Sequence, residues 1–383
     1  MNIGINLNGF WPGRIGGVET YVRNLIENLQ LIDLSNSYIL LCHEEIMTEI
    51  PIVNKNFNVK MSSYRKSSMK KLFRSILWNT LRIDPLRAMP RYLNCDVIHH
   101  PFSLIHREWS KFPSVLTFHD MQHEYYPEYF SHDELRRRRD SFRRSALAAT
   151  RIIAISQYSR KGLMEFYGIP KEKIDVIYFG CSPIFKRATD GTRMAEVRDK
   201  YLLTRPFLYY PAATWPHKNH KNLFVALKAL IEGDRFDGEL VLSGMATNDQ
   251  ENVLAEISRL GLSGNVRVLG HVNYEDIPYI YALARVMVFP SMFEGFGLPL
   301  VESMAAGCPV ACSSAASIPE VVGDAAAMFD PKDVKEMEEV IGKVWESESL
   351  RSELKGKGIE RAVLFSWHET AQQTLDVYRR AVS

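Results

Sequence analysis

The segment VMVFPSMFEGFGLPLVE, which runs from Val286 to Glu302, decides how this chain is expected to fold. Its first four residues are apolar, which predicts a short buried β-strand. Two glycines follow in a loop, and Pro299 then stands where a helix begins, a position that tolerates its missing N–H group. The free amides at such a helix start suit an anionic group. The segment therefore predicts a strand–loop–helix unit of a parallel sheet, with a ligand site in its glycine loop.

Short apolar strands alternate with helical stretches along the whole chain, which is typical of parallel α/β sheets. In the first half, strands are expected at residues 3–7, 38–42, 97–99, 114–118, 151–155 and 175–178, and a helix at 18–29. In the second half, strands are expected at residues 207–210, 239–242, 266–269, 286–289, 310–312 and 326–329, and helices at 221–231, 250–260, 300–306, 334–347 and 367–382. We therefore predict an α/β protein with two Rossmann-like, doubly wound domains.

Length and composition agree with this prediction. The 383 residues suit two domains of about 150–200 residues each. The chain is 46% hydrophobic and 24% charged, which excludes a disordered or fibrous protein. It contains no apolar run of about 20 residues and no signal-peptide pattern at its start. The 5 cysteines are odd in number and scattered, so we expect a reduced, cytoplasmic enzyme.

Charge is distributed unevenly along the chain. The net charge of +2 excludes the overall basic excess of a nucleic-acid-binding protein. Residues 1–180, however, contain 25 basic and 18 acidic residues, a net charge of +7, and the rest of the chain carries −5. This asymmetry indicates that the first half faces an anionic partner.

The domain boundary is expected in a stretch without strong helical or strand periodicity. Residues 181–206 contain two prolines and one glycine, so we expect the interdomain linker there. We assign residues 1–185 to the first domain and 186–366 to the second, with the last helix, residues 367–383, packing back on the first. Two such sheets facing each other would form one deep cleft, at the carboxyl ends of their strands.

Two carboxylates flank the glycine loop of the opening segment. Glu294 lies in the loop and Glu302 is expected on the first turn of the helix, eight positions later. One carboxylate can then bind a sugar while the other binds the ribose of the same nucleotide-sugar. An ordinary strand–glycine–helix connection with a capping glutamate explains the isolated residues about equally well.

Six motifs in one order resemble those of a known enzyme family. They are Gly16-Gly17-Val-Glu-Thr-Tyr, Thr117-Phe-His119-Asp120, Ala154-Ile-Ser156-Gln-Tyr-Ser-Arg160, Trp215-Pro-His-Lys218-Asn219, the Glu294–Glu302 pair with Gly-Phe-Gly-Leu-Pro and the later Ala306-Gly-Cys-Pro-Val310, and Ser317-Ile-Pro-Glu320-Val-Val-Gly. Together they extend over nearly the whole chain. They resemble the retaining glycosyltransferases of family 4, which have the GT-B fold.

The resemblance implies that the first domain binds the acceptor. The amides of Gly16 and Gly17 would approach the diphosphate or the acceptor. His119 would contact the transferred sugar, with its backbone carbonyl facing the anomeric carbon. Because a lone histidine at a strand end is more often structural, this role depends on the motif order around it.

The resemblance also implies that the second domain binds the nucleotide-sugar donor. Lys218 would neutralise the leaving diphosphate, a task that suits an ammonium group. The other implied contacts are Glu294 with the backbone of Phe296, Gly297 and Leu298 on the donor sugar, Gly295 where the ligand approaches the backbone, Glu302 on the ribose, and His271 in the loop near the base.

One position departs from the family pattern. The family has an arginine five residues before the lysine, and this chain has Ala213 there. Either Lys218 acts with His217, Lys221 or a residue of the first domain, or the clamp on the diphosphate is weaker. The segment around Lys218 is similar to that of a bacterial subgroup that transfers mannose-type sugars.

Several histidines raise the question of a metal site. His99, His100, His119 and His123 fall within 25 residues, but no His-Glu-x-x-His motif accompanies them. The GT-B resemblance implies that no catalytic metal and no cofactor are needed, since cationic side chains and helix amides stabilise the diphosphate.

Two basic stretches have no place in the donor site. Residues 65–91 contain eight Lys or Arg and one acidic residue, interleaved with an apolar stripe that includes Phe73, Leu77 and Trp78. This pattern is typical of a helix lying on an anionic membrane, although a helix covering its own domain's core explains it about equally well. Residues 136–144 are also rich in arginine, which favours a solvated or acceptor-facing helix face.

We therefore predict a retaining hexosyltransferase that moves mannose from GDP-mannose to a lipid-linked or surface-glycan acceptor. It would act in the cytoplasm, at the inner face of the plasma membrane. A transferase that uses a UDP-sugar is one alternative. A nucleotide-sugar-binding protein without turnover is another, and Ala213 is the feature that favours it.

Overall fold

The computed structural model describes residues 1–13, 16–43, 46, 49–63, 94–105, 112–187 and 190–383. These residues form two compact units. The first consists of Met1–Gly180 together with Trp367–Ser383, and the second of Cys181–Ser366. The boundary after Gly180 lies a few residues before the one expected from the sequence, because residues 181–185 already belong to the second unit.

The first unit is built on a parallel sheet. Its strands are β1 (Asn2–Asn6), β2 (Ser37–His43), β3 (Phe57–Ser63), β4 (Val97–His100), β5 (Ser114–Phe118), β6 (Arg151–Ala154) and β7 (Ile174–Val176). Their spatial order is β3-β2-β1-β4-β5-β6-β7, and each pair is parallel. The direction of the strand order reverses between β1 and β4, which is where doubly wound sheets bind their ligands.

Helices pack around this sheet. They are α1 (Gly17–Ile32), α2 (Gln122–Tyr125), α3 (His132–Ala148), α4 (Gln157–Tyr167) and, from the end of the chain, α13 (Trp367–Val382). The apolar positions of α1 recur at helical spacing, and Val22, Leu25 and Leu29 are buried. The C-terminal α13 packs against α1 and against the three strands β4, β5 and β6.

A buried polar chain joins α13 to the centre of this unit. The His99 ring on β4 lies 2.7 Å from the Tyr378 hydroxyl through Nδ1 and 2.8 Å from the Thr117 hydroxyl through Nε2. The Tyr21 hydroxyl on α1 lies 2.8 Å from the same Thr117 oxygen. Burial lowers the pKa of His99 to about 3, so the ring is neutral and every contact in the chain is a neutral hydrogen bond.

The second unit has its own parallel sheet. Its strands are β8 (Phe207–Pro211), β9 (Glu239–Ser243), β10 (Val266–Gly270), β11 (Val286–Phe289), β12 (Val310–Ser313) and β13 (Ala327–Phe329). They lie in the order β10-β9-β8-β11-β12-β13. Here the order reverses between β8 and β11, which are direct neighbours in the sheet.

Helices also pack against the sheet of the second unit. They are α5 (Gly191–Lys200), α6 (His220–Glu232), α7 (Gln250–Arg259), α8 (Ile277–Leu283), α9 (Leu298–Ala305), α10 (Ile318–Val322), α11 (Val334–Glu346) and α12 (Glu348–Ala362). The predicted strands and helices are confirmed, most of them within two residues at each end. Two doubly wound α/β units therefore confirm the predicted fold class.

The prediction of a linker at residues 181–206 is wrong, because α5 occupies its centre. The Asp190 carboxylate caps this helix by accepting hydrogen bonds from the amides of Thr192 and Arg193. The helix is anchored by charge. Arg193 and Lys200 lie 2.6 and 2.7 Å from the buried carboxylate of Asp276. Since Val197 is its one buried apolar residue, no apolar periodicity revealed it.

Strand β3 was also missed by the sequence prediction. It lies at the edge of the first sheet and alternates buried Phe57 with exposed Asn58 and Lys60, so it lacks an apolar run. Residues 65–91, where the sequence predicts a membrane-binding helix, lie outside the described residues. In the described part of the chain, no helix is both long and apolar enough to cross a membrane.

Candidate functional site

The loops that follow β8 and β11 meet at the carboxyl ends of these neighbouring strands. The Met292 N–H, in the loop of residues 290–297 between β11 and α9, donates a hydrogen bond to the His217 carbonyl at 2.7 Å. His217 belongs to the short 3₁₀ helix Pro216–Lys218 that follows β8. Sequence reasoning placed a site in each of these segments, and the sheet order brings them together. We call residues 290–297 the glycine loop.

An ion pair links these two loops. Lys218 Nζ lies 2.6 Å from Glu294 Oε1, and their side chains are 16% and 13% exposed. The ammonium group also lies 5.7 Å from the centre of the Phe289 ring. Because both groups are largely shielded from water, their mutual attraction is stronger than that of a surface pair. The geometry places one cation and one carboxylate side by side at the switch point of the sheet.

Lys218 is held by contacts of its own backbone. The Tyr210 hydroxyl on β8 donates to the Lys218 carbonyl at 2.7 Å. Asn219, the next residue, adopts a left-handed conformation with φ 62°. Its side-chain amide donates to the carbonyls of Pro290 at 3.1 Å and Pro331 at 2.8 Å, so it ties three loops to one another. Asn tolerates this conformation better than most residues do.

The glycine loop turns sharply into α9. Gly297 is the N-cap of that helix and has φ 104°, a conformation that favours glycine. A side chain at this position would also approach within 2.9 Å of Leu300 Cδ1. Phe296 and Leu298 on either side are buried, whereas no side chain caps the helix start. Among the described residues, the first amides of α9 therefore have no side-chain cap, and Gly295 is half-buried whereas Gly297 is buried.

Glu302 lies on α9, eight residues after Glu294. The helix begins at Leu298, so Glu302 is on its second turn and the expectation of the first turn is wrong. The Tyr281 hydroxyl lies 3.5 Å from Glu302 Oε2. Removal from water raises the pKa of Glu302 to about 7, although the residue is half-buried rather than fully enclosed. Its carboxyl group therefore changes charge near physiological pH.

His271 follows β10 and is exposed. Gly270 before it has φ 68°, which lets the chain turn at the strand end. Among the described residues, no contact joins His271 to the Lys218–Glu294 pair. His271 follows the carboxyl end of its strand, as Lys218 and Glu294 follow theirs. It is not in contact with that ion pair.

Two histidines near Lys218 could take the place of the family arginine, which is Ala213 in this chain. His217 and His220 flank the lysine closely in sequence. Burial, together with the charge of Lys218, lowers the pKa of His217 to about 2 and that of His220 to about 4. Both imidazoles are neutral at physiological pH, so His217 can accompany Lys218 as a hydrogen-bonding group and not as a second cation.

In the first unit, Gly16 and Gly17 lie at the start of α1. Gly16 is its N-cap, with φ 50° and ψ −127°, and both glycines are exposed. Among the described residues, a side chain at Gly16 would meet no atom within 4 Å, so the backbone conformation rather than crowding calls for glycine. The Glu19 carboxylate accepts hydrogen bonds from the Gly13 amide at 2.7 Å and from Arg23 at 2.9 Å.

His119 follows β5 and is nearly buried, with 9% of its surface exposed. Its Nε2 lies 2.7 Å from the Pro101 carbonyl and therefore carries the proton that it donates. The Tyr21 ring of α1 meets the imidazole edge-on at 5.6 Å. The Ser159 hydroxyl lies 3.5 Å from the His119 carbonyl, the group that was expected to face the sugar. Burial lowers the pKa of His119, so the ring is neutral.

Four residues that support these sites received no role from the sequence. They are Tyr21, Tyr210, Tyr281 and Ser317. Ser317 lies inside one of the six motifs, so its motif was a usable signal. Tyr21 likewise ends the first motif, whereas Tyr210 and Tyr281 are ordinary apolar positions that only their hydroxyl contacts distinguish. Among the described residues, no group of three His, Cys, Asp or Glu side chains could hold a metal ion.

Comparisons with known proteins agree with these observations. Residues 15–183 match the family model Glycosyltransferase Family 4, and residues 195–361 match Glycosyl transferases group 1. O-antigen chain mannosyltransferase B of Escherichia coli is 33% identical over 286 residues, which are 74% of this chain and 74% of that protein.

Solved structures show the same fold. HepE of Anabaena, in complex with UDP and glucose, has a TM-score of 0.75 at 21% identity and covers 99% of this chain and 100% of its own. WaaG, a glycosyltransferase involved in lipopolysaccharide biosynthesis, has a TM-score of 0.72 at 16% identity and covers 98% of this chain and 99% of its own. The predicted GT-B fold class and the predicted family are thus both confirmed. The chain belongs to glycosyltransferase family 4 and is a glycosyltransferase.

Proposed function

We propose that this glycosyltransferase moves mannose from GDP-mannose to a lipid-linked or surface-glycan acceptor, with retention at the anomeric carbon. The observation that carries the proposal is the Lys218–Glu294 pair beside the uncapped start of α9. A cation and free helix amides suit a diphosphate, and a carboxylate suits the hydroxyls of a sugar. The E. coli relative is a mannosyltransferase of the O-antigen chain, which supports mannose and a glycan acceptor.

The second unit would bind the donor. Lys218 would lie against the diphosphate, where its charge offsets the negative charge that develops on the leaving group. The Glu294 carboxylate would accept hydrogen bonds from the hexose hydroxyls. The backbone amides of residues 295–298 would donate hydrogen bonds to the hexose oxygens. Glu302 would accept hydrogen bonds from the ribose hydroxyls, and the base would lie near His271 beyond β10.

The first unit would bind the acceptor. Gly16 and Gly17 leave an exposed backbone at the start of α1, which supports an approach by the diphosphate or the acceptor. His119 would contact the hexose. Its fixed tautomer and neutral ring make it a positioning and hydrogen-bonding group rather than a cation.

Retention requires that the acceptor oxygen attack from the side on which the diphosphate leaves. The bond between the anomeric carbon and the diphosphate oxygen breaks, and a bond from the acceptor oxygen to the same carbon forms. The acceptor's hydroxyl proton passes to the departing diphosphate, which keeps the bonding electron pair. No protein nucleophile is needed in this scheme.

A UDP-sugar is the second candidate donor. The observation in its favour is the HepE complex, which contains UDP and glucose and shares the fold. A thermal-shift screen over GDP-, UDP- and ADP-sugars separates the candidates, because the preferred ligand stabilises the folded state most. Greater stabilisation by UDP-glucose than by GDP-mannose would contradict the proposed donor.

The stereochemistry of the product tests the proposed retention at the anomeric carbon. Proton coupling at the anomeric carbon of the product should show the same configuration as in the donor. An inverted product would contradict retention. A protein that binds the donor but neither hydrolyses nor transfers it would instead be a nucleotide-sugar-binding protein, the alternative that Ala213 favours.

A further inference from the structure

A buried serine hydroxyl contacts two backbone carbonyls of the glycine loop. Ser317 immediately precedes α10, in the segment that follows β12, and its side chain is fully buried. Its Oγ lies 2.9 Å from the Glu294 carbonyl oxygen and 3.1 Å from the Phe296 carbonyl oxygen. The single hydroxyl proton can point to either oxygen, so one side chain serves two carbonyls of the same loop.

The geometry of the peptide bond converts this contact into an orientation of two amides. In a planar trans peptide, the carbonyl and the following N–H point in opposite directions. When Ser317 holds the carbonyls of Glu294 and Phe296, the N–H groups of Gly295 and Gly297 must point away from it. In the part of the chain that the structure describes, neither amide donates a hydrogen bond to a protein acceptor. Two oriented donors are therefore without a protein acceptor, one in the half-buried Gly295 and one in the buried Gly297.

The ends of the loop are fixed by other contacts. The Ser313 hydroxyl donates to the Ser291 carbonyl at 2.7 Å, and the Met292 amide donates to the His217 carbonyl at the same distance. At the far end, Gly297 is the N-cap of α9. Ser317 acts between these ends, on the stretch that contains Glu294 and both glycines.

We propose that Ser317 is a positioning residue for the sugar end of the donor. It would orient the Gly295 and Gly297 amides toward the hexose without touching it. The inference rests on the proposed function, since it assumes that a nucleotide-sugar occupies the site. Lys218, which would bind the diphosphate, makes no contact with Ser317 among those described, so the two ends of the donor should respond separately.

The test compares the affinities of GDP and GDP-mannose, with UDP and UDP-glucose as a second pair. In wild-type protein, the nucleotide-sugar should bind more tightly than the diphosphate alone. Ser317→Ala should reduce that preference about 3- to 10-fold, the worth of one hydrogen bond, while the affinity for the free diphosphate stays unchanged. Ser317→Thr, which keeps the hydroxyl, should restore the preference.

A matched control is available in the same unit. Ser303 is also fully buried, and its hydroxyl makes a long contact of 3.5 Å to the Cys308 carbonyl, away from the loop. Ser303→Ala should keep the full preference. An unchanged preference in Ser317→Ala, or an equal loss of affinity for diphosphate and nucleotide-sugar, would overturn the inference.

Hydrogen exchange separates this inference from the proposed function. If the wild-type protein bound none of the four ligands, the proposed function would fail. Amide exchange in residues 292–297 should still be faster in Ser317→Ala than in Ser303→Ala if Ser317 holds the loop. Equal exchange in both variants would overturn the positioning role by itself.

Discussion

The Nζ atom of Lys218 lies 2.6 Å from Oε1 of Glu294, although 76 positions separate the two residues in sequence. In this pair the carboxylate neutralises the ammonium that is proposed to meet the diphosphate. The two residues are assigned to different parts of one donor, yet they are electrostatically coupled. Removing either one changes the charge that the other presents to a ligand.

Variants of Glu294 and Lys218 should have different effects on the affinity for a nucleoside diphosphate. Glu294→Gln should retain or increase the affinity for a free nucleoside diphosphate, because Lys218 loses its neutralising partner. It should still lower kcat/KM about 10²-fold, since the hexose loses a charged acceptor. Lys218→Met should weaken the binding of both diphosphate and nucleotide-sugar. Calorimetric titration with GDP and initial-rate kinetics measure these effects, and equal losses of GDP affinity in the two variants would contradict the assignment.

Glu302 should make the stability of the second unit depend on pH. Burial raises the pKa of its carboxyl group from 4.5 to about 7, so ionising it costs more in the folded than in the unfolded state. Relative to Glu302→Gln, the wild-type protein should be most stable below about pH 4.5 and lose stability as the pH rises to about 7, with no further loss above that. Urea unfolding of both proteins across this range measures the difference.

The control for this measurement is an exposed carboxyl group. Glu360 lies on an exposed position of α12, and Glu360→Gln measures the effect of removing a surface carboxylate from the same unit. A constant stability difference between wild type and Glu302→Gln from pH 4.5 to 7 would show that the carboxyl group is not desolvated.

Replacing His119 should affect turnover more than donor binding. The imidazole is proposed to contact the reacting hexose, whereas the rest of the donor is bound elsewhere, so His119→Ala should lower kcat about 10²-fold with a small change in donor affinity. Because burial lowers the pKa of His119, any ionisation of this group in the kcat–pH profile should fall below the usual range of a histidine. The exposed His368 on α13 provides a control, as His368→Ala should keep wild-type kinetics.

Asp276 should be a stability determinant of the second unit. Burial alone would favour its neutral form, but hydrogen bonds from Lys200 and Tyr201 hold the pKa of this carboxyl group below its usual value. Asp276→Asn should lower the free energy of unfolding by about 1–3 kcal/mol at pH 7. The contribution should disappear as the pH falls below the usual range of an aspartate, because the wild-type group is then protonated as well.

An exposed pair provides the comparison. Asp324 lies 3.4 Å from Lys357 but is 83% exposed, so Asp324→Asn should change the free energy of unfolding by less than about 1 kcal/mol. Urea unfolding at pH 7 and pH 3 compares the two variants. An Asp276→Asn protein as stable as Asp324→Asn at pH 7 would contradict the anchoring role.

Membrane binding should depend on charge. Residues 65–91 carry an eight-to-one excess of basic over acidic residues, and each cation near an anionic surface contributes about 1 kcal/mol. Flotation with anionic vesicles should recover the protein at low salt and lose it at high salt. Replacing Lys70, Lys71 and Arg74 with glutamate should abolish recovery while leaving thermal unfolding unchanged. Equal recovery with neutral and anionic vesicles, or none with either, would contradict the proposal.

Local patterns predicted much of the fold. The strand, loop and helix from Val286 to Ala305 were found because each is encoded within a few consecutive residues, by apolar runs, glycines and a proline. The same reasoning failed for α5, which is anchored by ion pairs to Asp276 across 76 to 83 positions of chain. Charged contacts leave no periodic trace in the sequence, whereas apolar burial does.

What the sequence by itself determined was the set of residues at the carboxyl ends of the strands, Lys218, Glu294 and Glu302 among them. Only the tertiary structure decided which of them meet. The order of the sheet makes β8 and β11 neighbours, so the loops that follow them come into contact. Asn219 joins these two loops, and Ser317 joins the glycine loop to the segment after β12, both by hydrogen bonds from side chains to distant carbonyls. Such contacts depend on strand order and backbone direction, which no local sequence pattern specifies. For the same reason, the burial that raises the pKa of Glu302 arises only when the sheet has formed.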